Sequence, residues 1–269
     1  MLRRVGLACM LLFAPGFAAW AQDDAPVPSK CMAIAQSLPK VTFASFSPTE
    51  VAADQGEVVI TYSGHSTYLI DTPAGVRIAT DFSGVYGGNP PPRVVTMNKA
   101  HRTHFTDTPD PAIEYVLRGW NPEGGPARHA LVVDDVYIRN VPTDIRHWGE
   151  MEENGNSIFI FEVADLCIGH LGHLHHRLDD AHYGAIGRLD VVMVPVDGGM
   201  TQSLERMTEI TTRLQSSIVL PMHRHSTPMS EFLGLLGDAY AVEFREGRSL
   251  TVSLRSLPSR PTIVILEGV

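Results

Sequence analysis

Leu166-Cys167-Ile168-Gly169 runs straight into His170-Leu171-Gly172-His173-Leu174-His175-His176. A short apolar run that ends in a burst of imidazoles reads as a buried strand delivering ligands at its end. Two other stretches repeat the pattern. Val94-Val95-Thr96-Met97 precedes His101-Arg102-Thr103-His104, and Ser217-Ile218-Val219-Leu220 precedes Met222-His223-Arg224-His225. Neutral imidazole is the commonest protein ligand for a transition metal. Histidines behind strands in three distant segments therefore predict loops that converge on one metal site. The alternative is a set of surface histidines, but His-Leu-His-His with two further His pairs is not the usual product of a solvated face.

The strands around these runs suggest the architecture. Glu57–Tyr62, Thr67–Ile70 and Val76–Thr80 are short alternating runs with turns at Ser63-Gly64-His65-Ser66 and Ala74-Gly75, as in a β-meander. Asp110 and Pro111 predict a helix over Pro111–Arg118, capped and then started by proline. Strands follow through Ser157–Phe161 and Leu166–Gly169. Helices are expected at Asp179–Gly187, Ser203–Leu214 and Ser230–Leu236, with strands at Asp190–Val196 and Ser217–Leu220 between them. A meander followed by strands alternating with helices predicts an α/β protein with two packed sheets.

The chain begins Met1-Leu2-Arg3-Arg4, continues apolar from Val5 to Phe17, and reaches Ala19-Trp20-Ala21 before Gln22. This is the order of a secretory signal peptide, and the apolar run is short for a membrane span. Residues 1–21 are expected to be removed, residues 22–56 to form an N-terminal arm with a short helix around Cys31–Ser37, and residues 57–269 to form one domain. The expected location is periplasmic or secreted. The net charge of −9 argues against nucleic acid and anionic membrane as partners and leaves a small-molecule substrate. Export permits a Cys31–Cys167 disulfide, the alternative being two separate thiols. No cysteine stands among the histidines, so a structural zinc finger is unsupported.

The order of motifs over residues 57–235 resembles the metallo-β-lactamase fold superfamily. Its closer match is the branch of metallo-hydrolases related to L-ascorbate-6-phosphate lactonase. The resemblance rests on Ile60–Asp81, Met97–Asp107, Asn154–Ile158, Ile168–His176, and Val194–Gly199 with Leu220–His223. It implies a four-layer αβ/βα sandwich with metal at the strand ends along one edge. Against the family's HxHxDH motif, Lys99 stands for the first histidine, Thr103 for the aspartate, and His101 and His104 match. His173 replaces the aspartate that usually bridges two metals, His176 matches the histidine after it, and His223 matches the last ligand. His147 is the nearest candidate for the remaining one.

The resemblance thus implies a ligand set drawn from His101, His104, His147, His173, His176 and His223. With both motif carboxylates replaced, it suits at most one transition-metal ion, zinc first, with Cu, Ni or Fe as alternatives. Two divalent ions would repel with so little compensation. Lys99 and Asp197 are the candidate catalytic residues. Lys99 would steady an oxyanion, and Asp197, at a strand end beside two glycines, is either a turn residue or an acid that supports the ligands. Asp107, three residues after His104, either caps the next segment or holds a ligand imidazole in its tautomer. His65 is expected to support the site by a hydrogen bond rather than to coordinate, and His175 to lie at its rim. The implied function is hydrolysis of a small ester, lactone or phosphoester by metal-activated water. The alternative is a non-catalytic metal- or ligand-binding protein on the same fold.

Overall fold

The computed structural model describes residues 29–32, 56–86, 88–147 and 149–269, without the side chain of His147. The leader at 1–21 and most of the arm at 22–56 lie outside the described residues. Strands β1 (Val58–Gly64), β2 (Thr67–Asp71), β3 (Arg77–Ala79), β4 (Val94–Met97) and β5 (Tyr115–Arg118) form the first sheet with the late strand β13 (Ser249–Val252), in the order β13-β1-β2-β3-β4-β5. The second sheet contains β6 (Ala130–Val133), β7 (Val136–His147), β8 (Glu150–Val163), β9 (Leu166–His170), β10 (Val191–Pro195), β11 (Ile218–Met222), β12 (Ala241–Phe244) and β14 (Thr262–Ile265). Its order is β12-β14-β11-β10-β9-β8-β7-β6.

Period-two alternation assigns each strand face to a layer. Phe159, Phe161, Val191, Met193, Ile218 and Leu220 meet Val58, Ile60, Ile70 and Ile78 between the sheets. The alternate residues Ile158, Ile160, Val192, Val194 and Val219 face the helices. Strands buried on both faces read as continuous apolar runs, which is why Val191–Val196 shows no polar alternation. The helices are α1 (Asp180–Ile186), α2 (Leu204–Leu214) and α3 (Met229–Leu236). Ile186, Met207, Ile210 and Phe232 bury their apolar faces on this outer side. The far face of the first sheet packs Leu69, Ala79, Val95 and Met97 against Phe82 and Ile113 from its loops. The molecule is therefore an α/β sandwich of two sheets.

One element differs from expectation. Residues 111–118 do not form a helix. Asp110 caps only a turn, accepting from the amides of Ala112 and Ile113, and β5 then pairs in parallel with β4, Val94 opposite Tyr115 and Met97 opposite Arg118. The short run Tyr115-Val116-Leu117 carries no strong helical period. The free edge of β4 offers its backbone partners in extended form. The helices expected at Asp179–Gly187, Ser203–Leu214 and Ser230–Leu236 and the meander fall where the sequence places them, and most of the helix expected around Cys31–Ser37 lies outside the described residues.

Cys31 and Cys167 form a disulfide. The described part of the arm is further held by Glu162, whose carboxylate accepts from the Ser29 hydroxyl and the Lys30 amide. Glu162 is in turn paired with buried Arg139, 2.8 Å away. Arg139 also donates to the carbonyls of Ala185 and Ile186 at the end of α1. No described helix is long and apolar enough to cross a membrane.

Candidate metal centre

The site forms where turns of both sheets meet. The β1–β2 turn is tied to the second sheet by three bonds. The His223 amide donates to the His65 carbonyl at 2.8 Å. The His170 ring donates through Nε2 to the Ser66 carbonyl, and the Tyr68 hydroxyl donates to Pro221, both at 2.8 Å. His170 is thus a buried latch, in keeping with its turning away from His173 in the strand. His65, Asp81 and His223 all hold left-handed backbone, with φ of 54°, 42° and 52°. Such residues cost about 1–3 kcal/mol each when non-glycine and persist where the surroundings fix them.

Four imidazoles converge. The ligand atoms of His65, His101, His104 and His223 lie within 4.8 Å of one another. His173 joins them from the β9 side, its ring centroid 5.2 Å from His101, 4.6 Å from His104 and 4.9 Å from His223. His104, His173 and His223 are buried, His65 is half-buried and His101 is exposed, which leaves one open side. The His173 amide donates to Asn156 Oδ1 at 2.8 Å. Gly172 permits this turn: its φ is +65°, and a Cβ would lie 2.4 Å from Asn98 and 2.5 Å from Asn156. The role of the Asn154–Ser157 stretch is therefore to seat this turn, with the Ser157 amide donating to Asn98.

Two buried carboxylates stand behind two of the rings. His104 Nδ1 donates to Asp81 at 2.8 Å, and Asn98 donates to the other Asp81 oxygen. His223 Nδ1 donates to Asp197 at 2.9 Å, and Thr201 donates to the same carboxylate through its amide and hydroxyl. Each contact fixes a tautomer whose Nε2 carries a lone pair toward the cluster. Burial alone would raise both carboxyls. For Asp81 the His104 and His170 rings, with the His104 and Asn98 hydrogen bonds, outweigh it and hold the group low. For Asp197 the His223 and Thr201 hydrogen bonds do the same.

Burial has the opposite effect on the imidazoles. His65 is lowered to about 3 and His101 to about 4, by desolvation and then by mutual repulsion within the cluster. Desolvation lowers His104 and His173 as well. Neutral imidazoles are the form that binds a metal. The same shifts set the acid limit of the metal-free chain. A histidine whose folded pKa lies below its unfolded value contributes stability above the unfolded value and loses it as pH falls toward the folded one. The melting temperature of the metal-free protein is expected to be flat above about pH 7 and to fall between about pH 6.5 and 4. A melting temperature that rises on acidification through that range would contradict this ionisation pattern.

The other residues singled out by the sequence lie elsewhere. Lys99 pairs with Glu152, so its ammonium is engaged there and not aimed at an oxyanion in the cluster. His176 turns to Asp144, 3.0 Å from its Nδ1, and packs its ring on His182. His147 lies at the turn end of the β7–β8 hairpin opposite Glu150, and its side chain is outside the described residues. Asp107 is exposed. The acid that holds the His104 imidazole is Asp81, two residues past the end of β3. His175 donates Nε2 to the Met200 carbonyl at 2.6 Å and lies 4.8 Å from His173 at the rim. Asp197 is buried behind the His223 ring, 2.9 Å from its Nδ1.

A family model described as the β-lactamase superfamily domain matches residues 59–223, from β1 to the last imidazole of the cluster. The chain belongs to this superfamily. Among solved structures, a protein from Thermotoga maritima provisionally assigned as a Zn-dependent hydrolase of the metallo-β-lactamase superfamily is 27% identical. The match covers 78% of this chain and 98% of that one, with a TM-score of 0.56. A metallo hydrolase from the hyperthermophilic archaeon Ignicoccus hospitalis is 18% identical over 74% of this chain and 99% of its own, with a TM-score of 0.54. Comparison with curated proteins gives no match. The two-sheet sandwich is thus the metallo-β-lactamase fold, and its relatives include metal-dependent hydrolases.

The cluster fits a metal ion on its own chemistry. His223 Nε2 and both His173 nitrogens are buried without a hydrogen-bond partner. Leaving a buried polar atom unpaired costs about 1–3 kcal/mol, a cost that ligation or an ordered water removes. Buried carboxylates hold the His104 and His223 rings from behind, as is usual for ligating histidines.

Proposed function

We propose that this superfamily member is an exported hydrolase of a small ester, lactone or phosphoester that works with one transition-metal ion, zinc first. The observation that carries the reading is the convergence of imidazoles in which His223 Nε2 and both His173 nitrogens are buried with no hydrogen-bond partner. His104 and His223 are the anchors, His101 stands at the open side, and His173 closes the β9 side. When bound at such a site, zinc lowers the pKa of water to about 7 and so supplies a nucleophile at neutral pH.

The chain's own groups do the rest. Asp81 and Asp197 orient the two anchor rings and place two negative charges just behind them. Two carboxylates offset the charge of one divalent ion, and among the described residues the cluster offers no carboxylate to bridge a second. The reading is therefore one ion per chain and no dizinc β-lactamase activity. Thr103 lies between His65 Nε2 at 2.8 Å and His101 Nδ1 at 2.7 Å, holding those rings together where the family motif has an aspartate. The exposed edge at His101 admits a small substrate. Support for the lactonase-like branch is the order of motifs. Support for export is the basic, apolar, small-residue leader together with the Cys31–Cys167 bridge, which needs an oxidising compartment. The acidic chain does not suit nucleic acid.

The test is metal content by plasma mass spectrometry on protein purified from the periplasm without added metal, followed by turnover of nitrophenyl esters, lactones and phosphoesters. The expected result is about one ion per chain and turnover that a chelator removes and zinc restores. Two ions per chain would overturn the single-ion reading. An absent ion with no turnover would favour the non-catalytic, ligand-binding alternative.

A further inference from the structure

His65 belongs to no histidine run and stands on a turn between two antiparallel strands. Yet its ring is as deep in the cluster as those of the motif residues. Its centroid lies 4.3 Å from His223, 5.0 Å from His104 and 5.6 Å from His101. Its Nε2 is 3.3 Å from His104 Nε2. His104 donates its Nδ1 to Asp81, so that Nε2 carries a lone pair. In the metal-free chain this distance suits a hydrogen bond from His65 Nε2 to that lone pair, and it is also the spacing of two nitrogens on one ion. Tetrahedral bonds of about 2.0–2.1 Å set neighbouring ligand nitrogens about 3.3–3.4 Å apart.

The turn that carries His65 is built to hold this position. The His65 carbonyl accepts from the His223 amide and from the Tyr62 hydroxyl at 3.1 Å. Its own backbone is left-handed, and Gly64 before it has φ of +128° and is closed in by the Tyr86 ring, 2.8 Å from where a Cβ would stand. The position vacated by the motif's first histidine is filled by Lys99, which pairs with Glu152. One imidazole is thus missing from the usual place, and one is supplied from another turn.

We propose that His65 is a direct ligand of the ion, replacing the motif histidine that Lys99 displaced, so that His65, His101, His104 and His223 form the primary set. His173 then stands beside that set, with an unpaired buried nitrogen turned toward whatever the ion binds. Thr103 holds His101 through Nδ1, and its contact with His65 Nε2 gives way when that lone pair is taken by the ion. This assignment rests on the proposed metal-dependent function but makes a separate claim about which side chain ligates.

The experiment loads the full mature chain with cobalt(II) and follows its visible spectrum and its affinity by chelator competition. The variants are His65→Gly and His65→Asn, both of which tolerate left-handed backbone. Asparagine is too short to place a donor where Nε2 stands. Far-UV circular dichroism checks that each variant is folded, and the second variant serves if the first is not. The expected result is a loss of affinity of more than about 100-fold, beyond the 10–100-fold that removing a supporting hydrogen bond costs. Free imidazole should restore the cobalt spectrum of His65→Gly, because it refills a vacant ligand position. Affinity within about 10-fold of the wild type, or a loss that imidazole does not reverse, overturns ligation by His65 and leaves the proposed function standing. A wild-type chain that takes up no cobalt or zinc overturns both.

Discussion

Replacing His223 with alanine is expected to strip the chain of its ion while leaving it folded. The ring is buried, its Nδ1 is held by Asp197, and its Nε2 points into the cluster with no partner. Alanine removes one of the few ligands and leaves the remaining imidazoles too sparse to hold an ion. The loss of affinity should exceed about 100-fold, and hydrolytic turnover should disappear with the metal. Asp197 keeps the Thr201 amide and hydroxyl as partners, so the variant's carboxylate is not left bare. Because His223 holds left-handed backbone and its ring is buried, the metal-free variant should melt somewhat below the metal-free wild type, and far-UV circular dichroism checks that it is folded. Asp197→Asn gives the graded comparison. It spares the ring but removes the charge that fixes its tautomer, which costs about 10–100-fold in affinity. His223→Ala protein that still carries one ion per chain would show the ligands to be placed wrongly.

The second large effect concerns stability. Cys31 and Cys167 are joined across a sequence separation of 136 residues. A bridge closing so long a loop restricts the unfolded chain strongly, and losing a native disulfide typically costs about 2–5 kcal/mol. Replacing both cysteines with serine should lower the melting temperature by about 4–20 °C for a domain of this size. The arm would retain its contacts with Glu162, and the metal cluster lies at the other end of β9, beyond His170. Ion stoichiometry in the double variant should therefore be unchanged. A melting temperature within about 1 °C of the wild type would mean that the bridge adds nothing to the contacts Glu162 already makes.

Much of the fold was legible because the strands that deliver ligands are also the most apolar. Val191–Pro195 and Ile218–Met222 are buried on both faces, and burial leaves an unmistakable mark on composition. Tyr115–Arg118 misled because a run of four residues, preceded by Asp-Pro, fits a capped helix as well as an edge strand. Only the open side of β4, a tertiary fact, decides between them. The histidine runs exposed His101, His104, His173 and His223, since several histidines in one loop produce a local pattern.

His65 and Asp81 were harder, for one physical reason. Each is a single polar residue at a strand end, and nothing nearby in the chain reports its partner. Their partners lie on other elements: Asp81 meets a ring 23 residues later, and His65 meets one supplied after β11. His176 shows the converse. A histidine in a rich run joins the cluster only if the turn aims it, and Gly172 and Asn156 aim His173 while His176 is left to Asp144.

The ties between His65 and His223 also determine when the site can exist. The amide that closes the β1–β2 turn belongs to His223, just after β11, so no fragment that ends before β11 contains the cluster. A ribosome-bound fragment ending before β11 has histidines but no cavity. A chain that crosses a membrane unfolded likewise carries no ion with it. Loading must then follow folding, in the compartment where folding ends. The identity of the resident metal will reflect the free ions on offer there, since imidazole sites prefer copper to zinc by intrinsic affinity and take zinc only where copper is scarce.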